Sequence, residues 1–402
     1  MTTITTKAPQ EQPGLDWFIK KKYFFLITLL VPLLPTISAY YAVTTKEGLW
    51  LWLTAFINFI AVPIADVIFG HDTNNPTTDQ EGALKDNGFY VGIMYLASVG
   101  HWIGLIATTY AISVLDLPWY HYIGALLSIG AMHSIGLILS HELGHRTNKK
   151  MQVWAAKLVI ACTGYGHFNI EHNKGHHKHV ATPEDPASAR MGENLYKFAT
   201  RELPGAFVRA WELESTRLHR LGKPTFSIHN EIVHSWLITL VGFSAMVLAF
   251  GIKVLPFLIV ASAYGWFQLT MANYIEHYGL LRPKMDNGKY QRCEPKHSWN
   301  SNFRVSNLIS LHLQRHSDHH ANPTRPYQLL RDYPEAPAMP TGYPSMMFLS
   351  TIPPLWYWVM DRKVVAWASG DMNLVNMDSN AKSKLFARYH YPEYTHDKKQ
   401  QN

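Results

Sequence analysis

The sequence predicts an all-α integral membrane protein, with six transmembrane helices beneath a cytoplasmic, histidine-rich helical cap. Three observations predict it. Apolar residues make up 47% of the 402-residue chain and charged residues only 16%, against a charged share of about 25% in soluble domains. The apolar residues gather in six stretches of spanning length, judged against the ~20 residues that a hydrocarbon core requires. Eight of the 22 histidines gather elsewhere, in three short polar blocks outside those stretches.

Taken in order, residues 1–22 form a polar N-terminal segment ending in Lys20, Lys21 and Lys22, with no cleavable signal evident. The first four spans, at 23–43, 48–69, 89–113 and 119–140, occupy 23–140 as two tight pairs. A polar region, 141–231, follows and holds the first two histidine blocks. The last pair of spans, 232–250 and 254–272, fills 232–272. Residues 273–379 form a second polar region with His277 and the third block, and 380–402 read as a charged, mobile tail. Pro32, Pro35, Pro63 and Pro256 imply kinks, which packed bundles tolerate. Within the polar regions, 148–166 reads as a buried or interfacial helix and 190–231 as amphipathic helix. The proline-rich 321–350 reads as irregular cover.

Charge sets the orientation. Of the 36 lysines and arginines, all but Lys46 and Lys253 fall on the side of the N-terminus. By the positive-inside rule that side is cytoplasmic, and it carries both termini and all three histidine blocks. The net charge of +7 is thus explained by a bilayer; no dense basic tract with interleaved aromatics points to nucleic acid. Two cysteines, Cys162 and Cys293, and no CxxC pair argue against a disulfide scaffold or a built-in iron–sulfur carrier.

The blocks are His141-Glu-Leu-Gly-His145, Glu171-His-Asn-Lys-Gly-His-His177 and Leu313-Gln-Arg-His-Ser-Asp-His-His320. They hold His141, His145, His172, His176, His177, His316, His319 and His320, and His277 stands alone just beyond the sixth span. On a helix, imidazoles four residues apart face the same way and can grip one metal. Adjacent histidines point about 100° apart and can serve different ions. Eight or nine imidazoles exceed what one ion accepts, so two ions are implied, at the cytoplasmic mouth of the bundle on helical extensions of the spans. Imidazole suits iron, zinc and copper. Glu142, Glu171, Glu276 and Asp318 are placed to compensate the charge, as hydrogen-bond partners of the rings or as bridging ligands. His312, four residues before His316, also has ligand spacing. The isolated histidines read as structural. His141-Glu-Leu-Gly-His145 fits the HExxH pattern of zinc proteases. That chemistry needs one further ligand and leaves the other blocks without a role.

The patterns HELxH, EHxxGHH and LxRHSDHH, with Asn273-Tyr-Ile-Glu-His-Tyr-Gly-Leu280, resemble the integral-membrane alkane 1-monooxygenases, bacterial non-haem di-iron hydroxylases. The resemblance runs from the first span to about residue 375, and the segment around His277 separates it from the related fatty-acid desaturases. It implies nine ligands, namely His141, His145, His172, His176, His177, His277, His316, His319 and His320. It implies two irons and no bound nicotinamide or flavin. It also implies terminal hydroxylation of medium- to long-chain n-alkanes with O2 at the bacterial inner membrane. Electrons would come from rubredoxin, a separate protein reduced by an NADH-dependent rubredoxin reductase. In that family a bulky residue in the second span limits how deep the alkane enters, and the matching position is Asn58 or its neighbour Phe59. A basic surface at 282–304 and 315–331, with Arg282, Lys284, Lys289, Arg292, Lys296 or Arg304, is the expected landing site for an acidic carrier. Related chemistry, desaturation or hydroxylation of fatty acids, sterols or aryl methyl groups, is the alternative. A metal transporter would need ionisable residues strung through the spans, and the spans hold few.

Overall fold

A run of residues as apolar as the six predicted stretches satisfies its backbone internally as helix, and helix is what it forms. The computed structural model describes residues 13–389, in which no β-strand occurs, only isolated bridges. Among the described residues six helices are long and apolar enough to cross a membrane: Leu15–Thr45, Gly48–Phe69, Gly88–Val114, Trp119–Gly144, Glu231–Phe250 and Ile252–His277. The outer faces are apolar, Leu248 being 86% exposed and Val67 76%. Exposed Tyr40, Tyr41, Trp50, Trp119 and Tyr120 cluster around the turns at the end remote from the histidines, as aromatic residues do at a bilayer interface.

The fourth span is the axis of the bundle. Buried residues make up 72% of its most apolar stretch, against 17% for the fifth span. It packs on the second, third and sixth spans. Small residues allow the close crossing with the sixth: a Cβ on Gly265 would come within 2.7 Å of the His133 Cβ, and one on Gly130 would overlap the Tyr264 ring. Such small-residue contacts are the means by which helices pack when both faces are already apolar.

The spans run on past their apolar stretches as the expected helical extensions, which matters for the site. The fourth span continues without a break through His141 to Gly144, and the sixth runs to His277. Both therefore present histidines rigidly at the same end of the bundle. The first span starts earlier than expected, at Leu15. It does so because Phe18 packs beside Leu84 and Leu329, and because Lys21 is buried in an ion pair with Asp72, Nζ to Oδ2 2.6 Å.

The cap is built of shorter helices. Lys150–Ala161 is the expected buried helix, and Leu195–Arg220 is the expected amphipathic one. Tyr343–Ser350 corrects the reading of 321–350 as wholly irregular; Tyr343 and Met346 are buried in the cap core. The tail also needs correction. Lys382–Arg388 is helical and docked, because Leu385 and Phe386 insert beside Met191 and Leu195. The tail from 390 on lies outside the described residues.

Candidate metal centre

Four pieces of chain deliver the histidines. The fourth span supplies His141 and His145, one turn apart. The sixth supplies His277 as its last residue. The helix His316–Ala321 supplies three rings, and its start is fixed by Asn300, which accepts from Ser317 N at 2.8 Å and donates to Ser317 Oγ at 2.6 Å. The second block supplies His172, His176 and His177 from a π-helical turn, His172–His176, that opens into a short α-turn.

That π turn overturns one expectation. As i,i+4 neighbours, His172 and His176 were expected to hold one metal together. In an α-helix residues five apart diverge by about 140°, but the wider π turn brings His172 and His177 together, Nε2 to Nε2 3.0 Å. His176 is turned the other way. π turns are rare and recur at functional sites.

Nine rings meet in two groups. His141, His145, His172, His177 and His319 form one; His176, His277, His316 and His320 form the other, and within each group the donor nitrogens lie within 4.8 Å of one another. The groups adjoin, with the His177 and His320 ring centroids 4.5 Å apart. In the first, His141 Nε2 lies 2.8 Å from that of His319 and 3.2 Å from that of His145, while His319 lies 3.0 Å from His177. In the second, His320 lies 2.9 Å from His316 and 3.2 Å from His176, and His316 lies 3.3 Å from His277. A neutral imidazole nitrogen has one proton or one lone pair. It cannot serve two facing nitrogens as a hydrogen-bond partner. An ion ~2.1 Å from each nitrogen, however, sets ligands at right angles ~3.0 Å apart. The donor set fits two metal ions. Burial pushes His145, His172, His177, His316, His319 and His320 well below the ordinary histidine pKa, so these rings are neutral and their lone pairs free to ligate.

The carboxylates do four different things. Glu276 Oε2 lies 3.2 Å from His316 Nε2, at the side of the four-histidine group. Glu171 instead receives the Arg209 guanidinium. Glu142 accepts from Tyr327 N at 3.2 Å. Asp318 holds the following loop, accepting from Arg331 N at 2.7 Å, Asn322 Nδ2 at 2.7 Å and Arg325 at 3.1 Å.

An apolar cavity ends on this centre. Its inner wall includes His141 and His172 from one group and His316 from the other, with Glu276 beside them. Its far wall includes Asn58, Phe59 and Val62 of the second span. There the span makes a π turn, Ile57–Ala61, while Phe56 and Ile60 face outward. Ile135, Ile138, Leu269 and Leu313 line the length between.

The sequence of residues 117–350 matches the fatty acid desaturase family. Over nearly the whole length the likeness is narrower. The chain is 45% identical to an alkane 1-monooxygenase of Pseudomonas putida over 96% of this chain and 95% of that one. It is 47% identical to an alkane 1-monooxygenase of Ectopseudomonas oleovorans, over 93% of each, and 36% identical to one of Acinetobacter baylyi, over 92% and 91%. The chain belongs to the alkane 1-monooxygenase family. Its two histidine groups are those of a non-haem di-iron centre of this family.

In this alkane 1-monooxygenase the structure brings all nine expected rings together and leaves His312 out. His312 packs edge-on against Phe25, centroids 4.9 Å apart, away from both groups. His101 is structural, its two nitrogens facing the carbonyls of Ala97 at 2.6 Å and Met132 at 3.0 Å. Sequence reasoning missed Asp185. Its Oδ2 accepts from His176 Nδ1 at 2.8 Å, and Ser188 and Arg209 hold it in place. Burial, the largest influence, would raise Asp185, but His176 and Arg209 outweigh it and hold the carboxyl below its ordinary range. A carboxylate on Nδ1 fixes the ring and aims Nε2 at the centre. Asp185→Asn should therefore weaken one ion by ~10- to 100-fold in a chelator competition and leave the other unchanged; equal retention of both would remove this role.

Gly175 explains the glycine of the second block. A Cβ there would lie 2.5 Å from Arg209 Nε and 3.1 Å from Glu171 Oε1. Gly175→Ala is expected to displace Arg209 from Glu171 and Asp185 at an overpacking cost of ~1–3 kcal/mol. Thermal unfolding of the metal-free protein measures it, and an unchanged midpoint would contradict it.

Proposed function

We propose that the chain hydroxylates the terminal methyl of medium- to long-chain n-alkanes to 1-alkanols, using O2 and electrons from reduced rubredoxin. One observation carries this reading: the apolar cavity ends where the two histidine groups meet. A methyl group has no charge, dipole or leaving group, so acid–base residues have nothing to act on. Two irons, held by the nine histidines with Glu276 beside them, would supply the oxidising chemistry. The balance is R–CH3 + O2 + 2 electrons + 2 protons giving R–CH2OH + H2O.

The protein's part is position and exclusion. Ile135, Ile138, Leu269 and Leu313 keep the chain of the substrate straight and water out. Burial of methylenes is worth ~0.8 kcal/mol each for substrate drawn from water; from lipid that gain is largely absent, so shape selects. No lysine or arginine is among the described lining residues, so a fatty-acid carboxylate has no cationic partner there. That favours an alkane over a free fatty acid.

The positive-inside distribution supports a cytoplasmic centre, reached by rubredoxin that an NADH-dependent rubredoxin reductase keeps reduced. The purified protein with rubredoxin, its reductase, NADH, octane and 18O2 should yield 1-octanol bearing 18O. Label entering from water instead, or oxidation at inner carbons, would overturn the reading.

A further inference from the structure

Of the nine histidines, seven are buried and two, His145 and His177, are partly exposed. Both belong to the five-histidine group, and their ring centroids are 4.9 Å apart, so they form one edge of the centre. Neither lines the apolar cavity; that cavity is walled by His141, His172 and His316. The centre thus has two faces, a greasy one toward the spans and an imidazole edge toward water.

The aqueous edge is ringed by positive charge. Arg146 follows His145 directly, and Lys149 and Lys150 stand exposed on the same turn. Lys174 and Lys178 are exposed on the other side, on the segment that carries His177. Asn173 Nδ2 donates to Gly144 O at 3.0 Å, which presses these two stretches together. The neighbouring acids do not neutralise the rim from outside, since Glu142 and Glu171 are buried. Among the described residues, Arg146, Lys174 and Lys178 close no ion pair. The surface at 282–304 is more occupied. Arg282 is buried, donating to Lys178 O at 2.7 Å; Lys284 is 3.7 Å from Glu184 and Lys296 2.8 Å from Glu294.

The geometry points to the His145–His177 edge as the docking face for a small acidic one-electron carrier protein, with Arg146, Lys174 and Lys178 as its steering charges. This rests on the hydroxylase reading. An apolar substrate gains nothing from a cationic rim. An acidic carrier gains attraction, orientation and the shortest approach to an imidazole in contact with the centre. Each docked carrier gives up one electron and leaves oxidised; two visits, with two protons, reduce to water the oxygen atom not placed on the substrate.

The test is binding, which needs no turnover. Zinc-substituted rubredoxin is mixed with the full chain in nanodiscs of zwitterionic lipid, and the association rate is followed against salt. Charge reversal of the rim (Arg146→Glu, Lys174→Glu and Lys178→Glu together) should slow association at low salt by ~10-fold or more and flatten its salt dependence. Reversal of Lys46 and Lys253, at the opposite end, should change neither. Lys289→Glu with Arg292→Glu reports on the neighbouring surface. An unchanged rate in the rim variant, or a loss only in the Lys289 and Arg292 variant, overturns the assignment. A rim effect that appears only when the nanodiscs contain anionic lipid would also overturn it, since the rim would then be binding headgroups. Octane turnover by wild-type protein with a chemical reductant is measured separately, so failure of the hydroxylase reading shows there and not in the binding rates.

Discussion

His319→Ala is expected to abolish alkane turnover, by ~1000-fold or more, and to halve the iron bound per chain. His319 sits inside the five-histidine group, its Nε2 2.8 Å from that of His141 and 3.0 Å from that of His177. Its removal takes a donor from one ion and leaves the group of His176, His277, His316 and His320 intact. His312→Ala is the control from the same stretch of chain. Its ring packs on Phe25, so its loss should lower stability and leave the iron content at the wild-type value. Elemental analysis of the two purified variants separates a ligand from a packing residue. Equal iron in His319→Ala and wild type would contradict the grouping.

Asn58→Trp is expected to shorten the range of alkanes accepted. Asn58 stands on the wall of the cavity remote from the histidines. It also lines a second cavity with Leu30 and Leu34 of the first span. An indole ring in place of the small carboxamide fills the end that a long chain must occupy. Overpacking of this kind costs ~1–3 kcal/mol, so hexadecane turnover should fall by roughly 10- to 100-fold while octane turnover holds. Product analysis across chain lengths measures it. A profile unchanged from short to long alkanes would leave Asn58 as a helix-packing residue.

The spans were legible because hydropathy is a property of sequence alone. That the fourth and sixth spans carry His141 and His277 on their own ends was legible too, since no proline or glycine separates Ser140 from His141 or Ile275 from His277. The nine histidines could be named from spacing and from resemblance. Which of them share a site could not. The partition depends on the π turn at His172–His176, and a π turn differs from an α turn by one hydrogen-bond register that composition does not announce. The adjacent pairs behaved as spacing implies, His176 and His177 parting to different groups, as do His319 and His320.

The carboxylates show the same boundary. Glu142, Glu171, Glu276 and Asp318 were all near histidines in sequence, but only Glu276 comes within 3.2 Å of a ligand nitrogen. Asp318 faces its own loop instead. Asp185, nine residues from His176 and outside every block, reaches a ring as well, at 2.8 Å from His176 Nδ1. Its position depends on Ser188 and on Arg209 from Leu195–Arg220, contacts between segments that no local pattern encodes. The docked helix Lys382–Arg388 is a similar case. A charged terminal stretch reads as mobile until its two apolar residues, Leu385 and Phe386, find a buried site.

The central claim is that these nine histidines hold two irons that oxidise an alkane end. Metal analysis and a rubredoxin-coupled octane assay on one purified sample test it most directly. The account predicts about two irons per chain, as two groups of four to five donors require, with 1-octanol formed and O2 consumed in equal amounts. Zinc in place of iron, with no O2 consumed after iron reconstitution, would contradict it.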